Sequence, residues 1–218
     1  MSVRRCIALF GGSFDPPHHG HVALVRYFAT LLAPDELHIV PAGQPWQKTE
    51  LQTPAAHRVA MARLAFANLA VPVAIDEQEV RRSGPTYTID TLRAVRAEAG
   101  PEASVAFLMG ADQLQKLHTW KDWQQLFSLA HLCVASRPGF AFDDAHLPPE
   151  VARECARRAA GAEQIRNSPA GLMFLANGLH VDLSATGVRA ALKEGRTAAG
   201  MLPDAVLDYA RQHHLYET

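Results

Sequence analysis

Apolar residues along the chain come in short continuous runs that alternate with stretches of helical spacing. Cys6 to Phe10 is one such run, closed by Gly11-Gly12. A run of this length bounded by glycines reads as a strand buried on both faces. Behind it, Val22, Val25, Ala29 and Leu32 recur at helical steps. Leu37 to Val40 is the second predicted strand, ended by Pro41. Thr53-Pro54 predicts an N-cap and first helical position, and Val59, Ala62, Leu64 and Phe66 supply that helix's apolar content. Val71 to Ile75 is a third strand. A helix is predicted from about Thr88, with Ile89, Leu92 and Val95 inside and Gly100 as its stop. Val105 to Met109, Leu132 to Ala135 and His180 to Leu183 are the fourth, fifth and sixth strands, and helices occupy the C-terminal part, 186–218.

Strands without polar alternation, separated by helices, predict an α/β fold with a doubly wound parallel sheet covered on both faces. Ligands of such sheets lie outside the carboxyl ends of the strands. The chemistry is therefore expected after Phe10, Val40, Met109, Ala135 and Leu183. The stretch 140–167, rich in Ala, Arg, Glu and Pro, is expected to be a peripheral insertion. The whole chain, 1–218, reads as a single domain, which its length allows.

Composition narrows the function. With 21 Lys plus Arg against 22 Asp plus Glu, the formal net charge is −1. That balance lacks the basic footprint of a nucleic-acid binder. The 3 cysteines, Cys6, Cys133 and Cys155, are odd in number and form no C-x-x-C pair, so neither a disulfide framework nor a zinc ribbon is expected. Ile7 to Phe10 is too short for a signal-peptide core, and no apolar run reaches the roughly 18 residues of a membrane span. The expectation is a cytoplasmic protein with no membrane partner; a homo-oligomer stays open.

The most informative stretch is Gly11-Gly12-Ser13-Phe14-Asp15-Pro16-Pro17-His18-His19-Gly20-His21. Two glycines after a strand permit a tight turn and a close approach to a ligand. Gly20 stands at the entry to a helix, whose first N–H groups can face an anion. His18 and His21, three apart at a helix start, share one face and offer two imidazole donors to one phosphate. G-x-G-x-x-G and the P-loop pattern are both absent. A metal site is the sharper alternative, disfavoured because no carboxylate or Cys stands at matching spacing. An ordinary turn and helix cap is the plainer one, and Asp15 reads as held by its own turn. Near the far end, Leu183-Ser184-Ala185-Thr186-Gly187-Val188-Arg189 opens another helix. Ser184 or Thr186 can cap it, and Arg189, one turn on, can offer a polyphosphate a bidentate fork.

The first segment resembles the Gly-Gly-(Ser/Thr)-Phe-Asp-Pro-x-His-x-Gly-His sequence of the HxGH-type nucleotidylyltransferases, with every fixed position present from Gly11 to His21. The second resembles their Ile-Ser-(Ser/Thr)-Thr-x-(Ile/Val)-Arg motif, departing at Leu183 and Ala185. Gly84 to Thr88, Gly110 with Asp112, Trp120, Ser136 to Gly139 and Leu202 through Tyr216 extend the likeness to the nicotinate mononucleotide adenylyltransferases. The resemblance implies a Rossmann-like fold and transfer of AMP from ATP to nicotinate mononucleotide, with Mg²⁺ accompanying ATP. It implies catalytic roles for His18, His21, Lys48 and Arg189. ATP would meet Gly11, Gly12, Ser13, Phe14, His18, Gly20, His21, Gly110, Asp112, Ser184, Thr186 and Arg189. Nicotinate mononucleotide would meet Lys48, Thr88 and Trp120, whose flat indole suits a pyridine ring. Gln47 stands where the family often has His. Nicotinamide mononucleotide and phosphopantetheine remain alternative acceptors, and a nucleotide-binding regulator without turnover is the alternative of another class.

Overall fold

The computed structural model describes residues 4–46, 51–136, 147–179, 183–194, 196, 198 and 200–217. In chain order its first half contains β1 (Cys6–Gly12), α1 (His19–Leu32), β2 (Glu36–Pro41), β3 (Gln44–Pro45), α2 (Ala55–Phe66), β4 (Val73–Ile75), α3 (Gln78–Arg81), β5 (Pro85–Thr86) and α4 (Thr88–Ala99). The second half contains β6 (Ser104–Gly110), α5 (Ala111–Leu114), α6 (Leu126–Leu129), β7 (His131–Ala135), α7 (Pro149–Arg158), α8 (Ala162–Asn167), β8 (Met173–Ala176), α9 (Ala185–Lys193) and α10 (Asp204–Gln212).

Six strands form one parallel sheet in the order β4-β2-β1-β6-β7-β8. The chain starts in the middle, builds outward to β4, then crosses to β6 and builds the other half. The reversal between β1 and β6 is the crevice where doubly wound sheets bind ligands. Successive strand residues point to opposite faces, so Ala8 and Phe10 of β1 enter one core and Ile7 and Leu9 the other. Val22, Val25 and Phe28 of α1 and Met61 and Phe66 of α2 cover the first face. Ile89, Leu92 and Val95 of α4 cover the second. Burial on both sides is the reason the strands lack polar alternation. A separate two-stranded sheet pairs β3 with β5, placing the Thr86–Thr88 segment beside the chain that leaves β2.

Four expectations change. The sixth strand is Met173–Ala176, not His180 to Leu183; residues 180–182 lie outside the described residues, and Leu183 is not in a strand. Leu172 to Ala176 is itself a continuous apolar run between Gly171 and Asn177, as a buried strand requires, so this strand is legible in the sequence. Residues 147–167, expected at the periphery, send Leu147, Val151 and Cys155 into one core and Ile165 into the other. The α2 cap is Pro54, one residue later than expected, with Thr53 buried and Leu64 turned outward. Val71 and Pro72 precede the third main-sheet strand, which begins at Val73.

Candidate active site

A cavity of about 540 Å³ opens at the carboxyl ends of β1 and β6. One wall is the loop from β1 into α1. His18 is the N-cap residue of α1 in extended conformation, and its side chain is buried. The rings of His18 and His21 stack with centroids 3.7 Å apart. The His18 main-chain N–H donates to His21 Nδ1 at 3.1 Å. An accepting Nδ1 carries no proton, so neutral His21 keeps its proton on Nε2, as a donor. Phe14 and Phe10 brace the same ring at 5.3 and 5.9 Å between centroids. The Phe14 ring is 1% exposed and packs on Phe10 and Phe66, so it supports His21 more than it offers surface to a ligand. Gly20 is required by space: a Cβ there would lie 2.9 Å from His18 Nδ1 and 3.5 Å from the Leu183 Cβ.

That last distance joins the two motifs. Leu183 leads into α9, where Ser184 is the N-cap and its hydroxyl accepts the Gly187 N–H at 3.1 Å. Thr186 sits inside the first turn and does not cap. Arg189 spends part of its fork within the protein: Nη1 donates to the Asp15 main-chain oxygen at 2.7 Å and Nη2 to Thr186 Oγ1 at 3.3 Å. His18, Gly20, His21, Ser184, Thr186 and Arg189 all line the one cavity.

The opposite wall carries the segments expected to receive the acceptor. Thr88 opens α4 behind an extended, side-chain-uncapped Tyr87. Trp120 is half-buried, packs edge-on against Phe107 with centroids 6.1 Å apart, and lines the cavity with Thr88. Among the described residues its indole N–H has no acceptor. Gly110 ends β6 beside Asp112; a Cβ at Gly110 would come within 2.6 Å of Asp112 Oδ1. Lys48 and Gln47, and Arg137 to Gly139, lie outside the described residues.

Several residues of the site went unread in the sequence. Asp15 is not held by its own turn. Its carboxylate, 3% exposed, accepts the Gln52 N–H at 3.0 Å and the Tyr216 O–H at 2.7 Å. Arg58, 2% exposed, donates to the main-chain oxygens of Ser13 at 2.8 Å and Thr53 at 3.1 Å. Its signal was an Arg four residues before Ala62, on the apolar side of α2. Glu79 lines the acceptor end and takes a hydrogen bond from Thr91 Oγ1 at 2.7 Å. Burial holds its carboxyl above the usual range, with Thr91, Thr86, Arg82 and the Gly43 main chain acting the other way. Lys116 stands on the rim.

A parallel sheet of this order, with two histidines and a Ser-capped helix meeting at its switch point, defines an α/β nucleotide-binding protein of the nucleotidylyltransferase type. The cytidylyltransferase-like family model matches residues 9–191. A probable nicotinate-nucleotide adenylyltransferase of Herminiimonas arsenicoxydans is 60% identical over 217 residues, covering 100% of this chain and 99% of that protein. The protein of the same description from Chromobacterium violaceum is 46% identical, over 96% of this chain and 98% of its own length. The chain belongs to the nicotinate-nucleotide adenylyltransferases, a branch of the cytidylyltransferase-like family. The fold is shared with the Plasmodium falciparum nicotinic acid mononucleotide adenylyltransferase complexed with NaAD, at TM-score 0.76, 19% identity and 98% coverage of both chains. No helix among the described residues is long and apolar enough to cross a membrane.

Proposed function

We infer that this chain joins the AMP part of ATP to nicotinate mononucleotide, giving nicotinic acid adenine dinucleotide and pyrophosphate. The observation that carries the reading is the convergence of His18, His21, Ser184, Thr186 and Arg189 with Thr88 and Trp120 around one cavity. In the reaction an oxygen of the acceptor's 5′-phosphate attacks the α-phosphorus of ATP. The bond from that phosphorus to the oxygen bridging the β-phosphate breaks, and pyrophosphate leaves. Such a step needs alignment and charge stabilisation rather than a protein nucleophile. His21 Nε2–H and the His18 imidazole are assigned as donors to the α-phosphate, where negative charge grows in the transition state. The start of α9 and Arg189 receive the β- and γ-phosphates. Gly11, Gly12 and Ser13 give the nucleotide a close backbone approach. Lys48 is assigned to the phosphates by the resemblance alone.

The acceptor ring is assigned to Trp120, and its carboxylate to the first N–H groups of α4 at Thr88, which have no acceptor within a helix. Mg²⁺ enters with ATP. Among the described residues no group of three or more His, Cys, Asp or Glu side chains is arranged to cage a metal. An ion held by the triphosphate and its own waters needs no cage. Asp112 lines the cavity where it can accept a hydrogen bond from such a water. The ion would neutralise phosphate charge. We read the chain as one cytoplasmic domain acting on small molecules.

The test is pyrophosphate release with Mg²⁺-ATP and nicotinate mononucleotide, nicotinamide mononucleotide or phosphopantetheine side by side. The highest kcat/KM is expected with the first. Equal or better turnover with another acceptor overturns the assignment, and binding of ATP and acceptor without release supports a regulator instead.

A further inference from the structure

The C-terminal turn reaches back into the phosphate loop. Tyr216 lies 201 positions from Asp15, yet its phenol O–H donates to Asp15 Oδ1 at 2.7 Å. The other carboxylate oxygen is held by the Gln52 N–H at 3.0 Å. The main-chain oxygen of the same residue accepts Arg189 Nη1 at 2.7 Å. Asp15 is thus a buried junction between the His18–His21 loop, the approach to α2, helix α9 and the chain's end. Both sides of the junction have unusual backbone. Phe14, just before Asp15, has φ +50°, and Tyr216 has φ +67°. Non-glycine residues hold such conformations only where surrounding contacts impose them. The Tyr216 phenol stays protonated far beyond any working pH, chiefly through burial and further through Asp15, with Thr53 and Arg189 acting the other way, so the donor is always present.

We propose that Tyr216 is a positioning residue for the ATP end of the site: its hydroxyl fixes Asp15, and Asp15 through its main chain aims the Arg189 guanidinium. The proposal rests on the nucleotidyl-transfer reading for its kinetics but not for its binding test. A hydrogen bond to a buried carboxylate is among the strong ones, and loosening the junction frees a charged fork to sample other directions. The ATP side should suffer selectively, since among the described residues Trp120 and Thr88 have no hydrogen bond to this junction.

The test is Tyr216→Phe, which removes one oxygen. Pyrophosphate release is measured with ATP and acceptor varied separately, and ATP affinity is measured by calorimetry without acceptor. ATP affinity should fall, and the KM for ATP should rise, by about ten-fold, with the acceptor KM within about two-fold. In an Arg189→Ala background the same change should cost less than about two-fold, because the group it aims is gone. Asp15→Asn should reproduce the loss and add little to Tyr216→Phe, which keeps the question open if one variant folds poorly. An undiminished Tyr216→Phe penalty in the Arg189→Ala background overturns the proposal, as does an equal effect on both substrates. Should the wild type release no pyrophosphate with any acceptor, the activity reading fails, and ATP affinity alone decides for or against Tyr216.

Discussion

Arg58 is a charged side chain with 2% exposure, and its replacement by alanine has a calculable consequence. Nε donates to the Thr53 oxygen at 3.1 Å and Nη1 to the Ser13 oxygen at 2.8 Å; the contact of Nη2 with the Gly43 oxygen, at 3.5 Å, is marginal. Burial pulls its pKa below the ordinary arginine value, while Asp15 acts in the opposite direction. The guanidinium nevertheless stays charged at any working pH. A bond from a charged donor contributes about 1.5–3 kcal/mol, so losing the two shorter bonds costs about 3–6 kcal/mol. In a domain of this size each kcal/mol moves Tm by roughly 2–4 °C, so Arg58→Ala should melt at least about 6 °C lower. Arg58→Lys keeps a charge but replaces a fork by a single nitrogen and should fall between. Thermal unfolding followed by circular dichroism reads the effect. Because Ser13 belongs to the cavity wall, ATP affinity should weaken in the fraction that remains folded. A Tm for Arg58→Ala within about 2 °C of wild type would show that the buried fork does not hold the loop.

His21→Ala should lower kcat by roughly 100-fold or more, since it removes a donor aimed at developing charge, and should also cost about 1 kcal/mol of stability through the lost Nδ1 acceptor at the α1 cap; near-normal turnover in initial-rate assays removes His21 from that role. Ser184→Ala deletes the α9 cap and should cost about 1 kcal/mol in denaturant unfolding with a higher KM for ATP; an unchanged KM would detach this helix start from the phosphates. His131 is 0% exposed, donates through Nε2 to the Ser168 oxygen at 2.9 Å and accepts the Leu172 N–H on Nδ1 at 3.1 Å. Its pKa is lowered, first by burial and then by Arg96 and Arg4, with the Ser168 carbonyl opposing. Below about pH 6.5 the unfolded chain takes up a proton that the folded ring refuses, so stability should fall with pH by up to about 1.4 kcal/mol per unit. Urea unfolding at pH 7 and pH 5 measures this, and His131→Gln should flatten the slope; an unaltered slope refutes the assignment.

Much of the site was legible because its signals are local. Gly11-Gly12, Gly20 and the three-residue step from His18 to His21 act within a single strand–loop–helix unit, as does the Ser184 cap of α9. Asp15 is the opposite case. Its type suggested a local turn, while its two carboxylate partners lie 37 and 201 positions away. Arg58 was obscured for a similar reason: a charged residue on an apolar helix stripe has meaning only once the carbonyls it satisfies are known.

Apolar run length and glycine placement determined the parallel α/β fold, since a strand buried on both faces has no alternative to continuous apolar sequence. Glycine and cap placement also marked the two candidate phosphate-binding segments, one after β1 and one at the start of α9. The tertiary structure alone decided that 147–167 fills core and that the C-terminal turn reaches the loop after β1. Each of these depends on which distant surface covers a residue. Burial and hydrogen-bond partnership across tens to hundreds of positions are properties of the packed chain, not of any window along it.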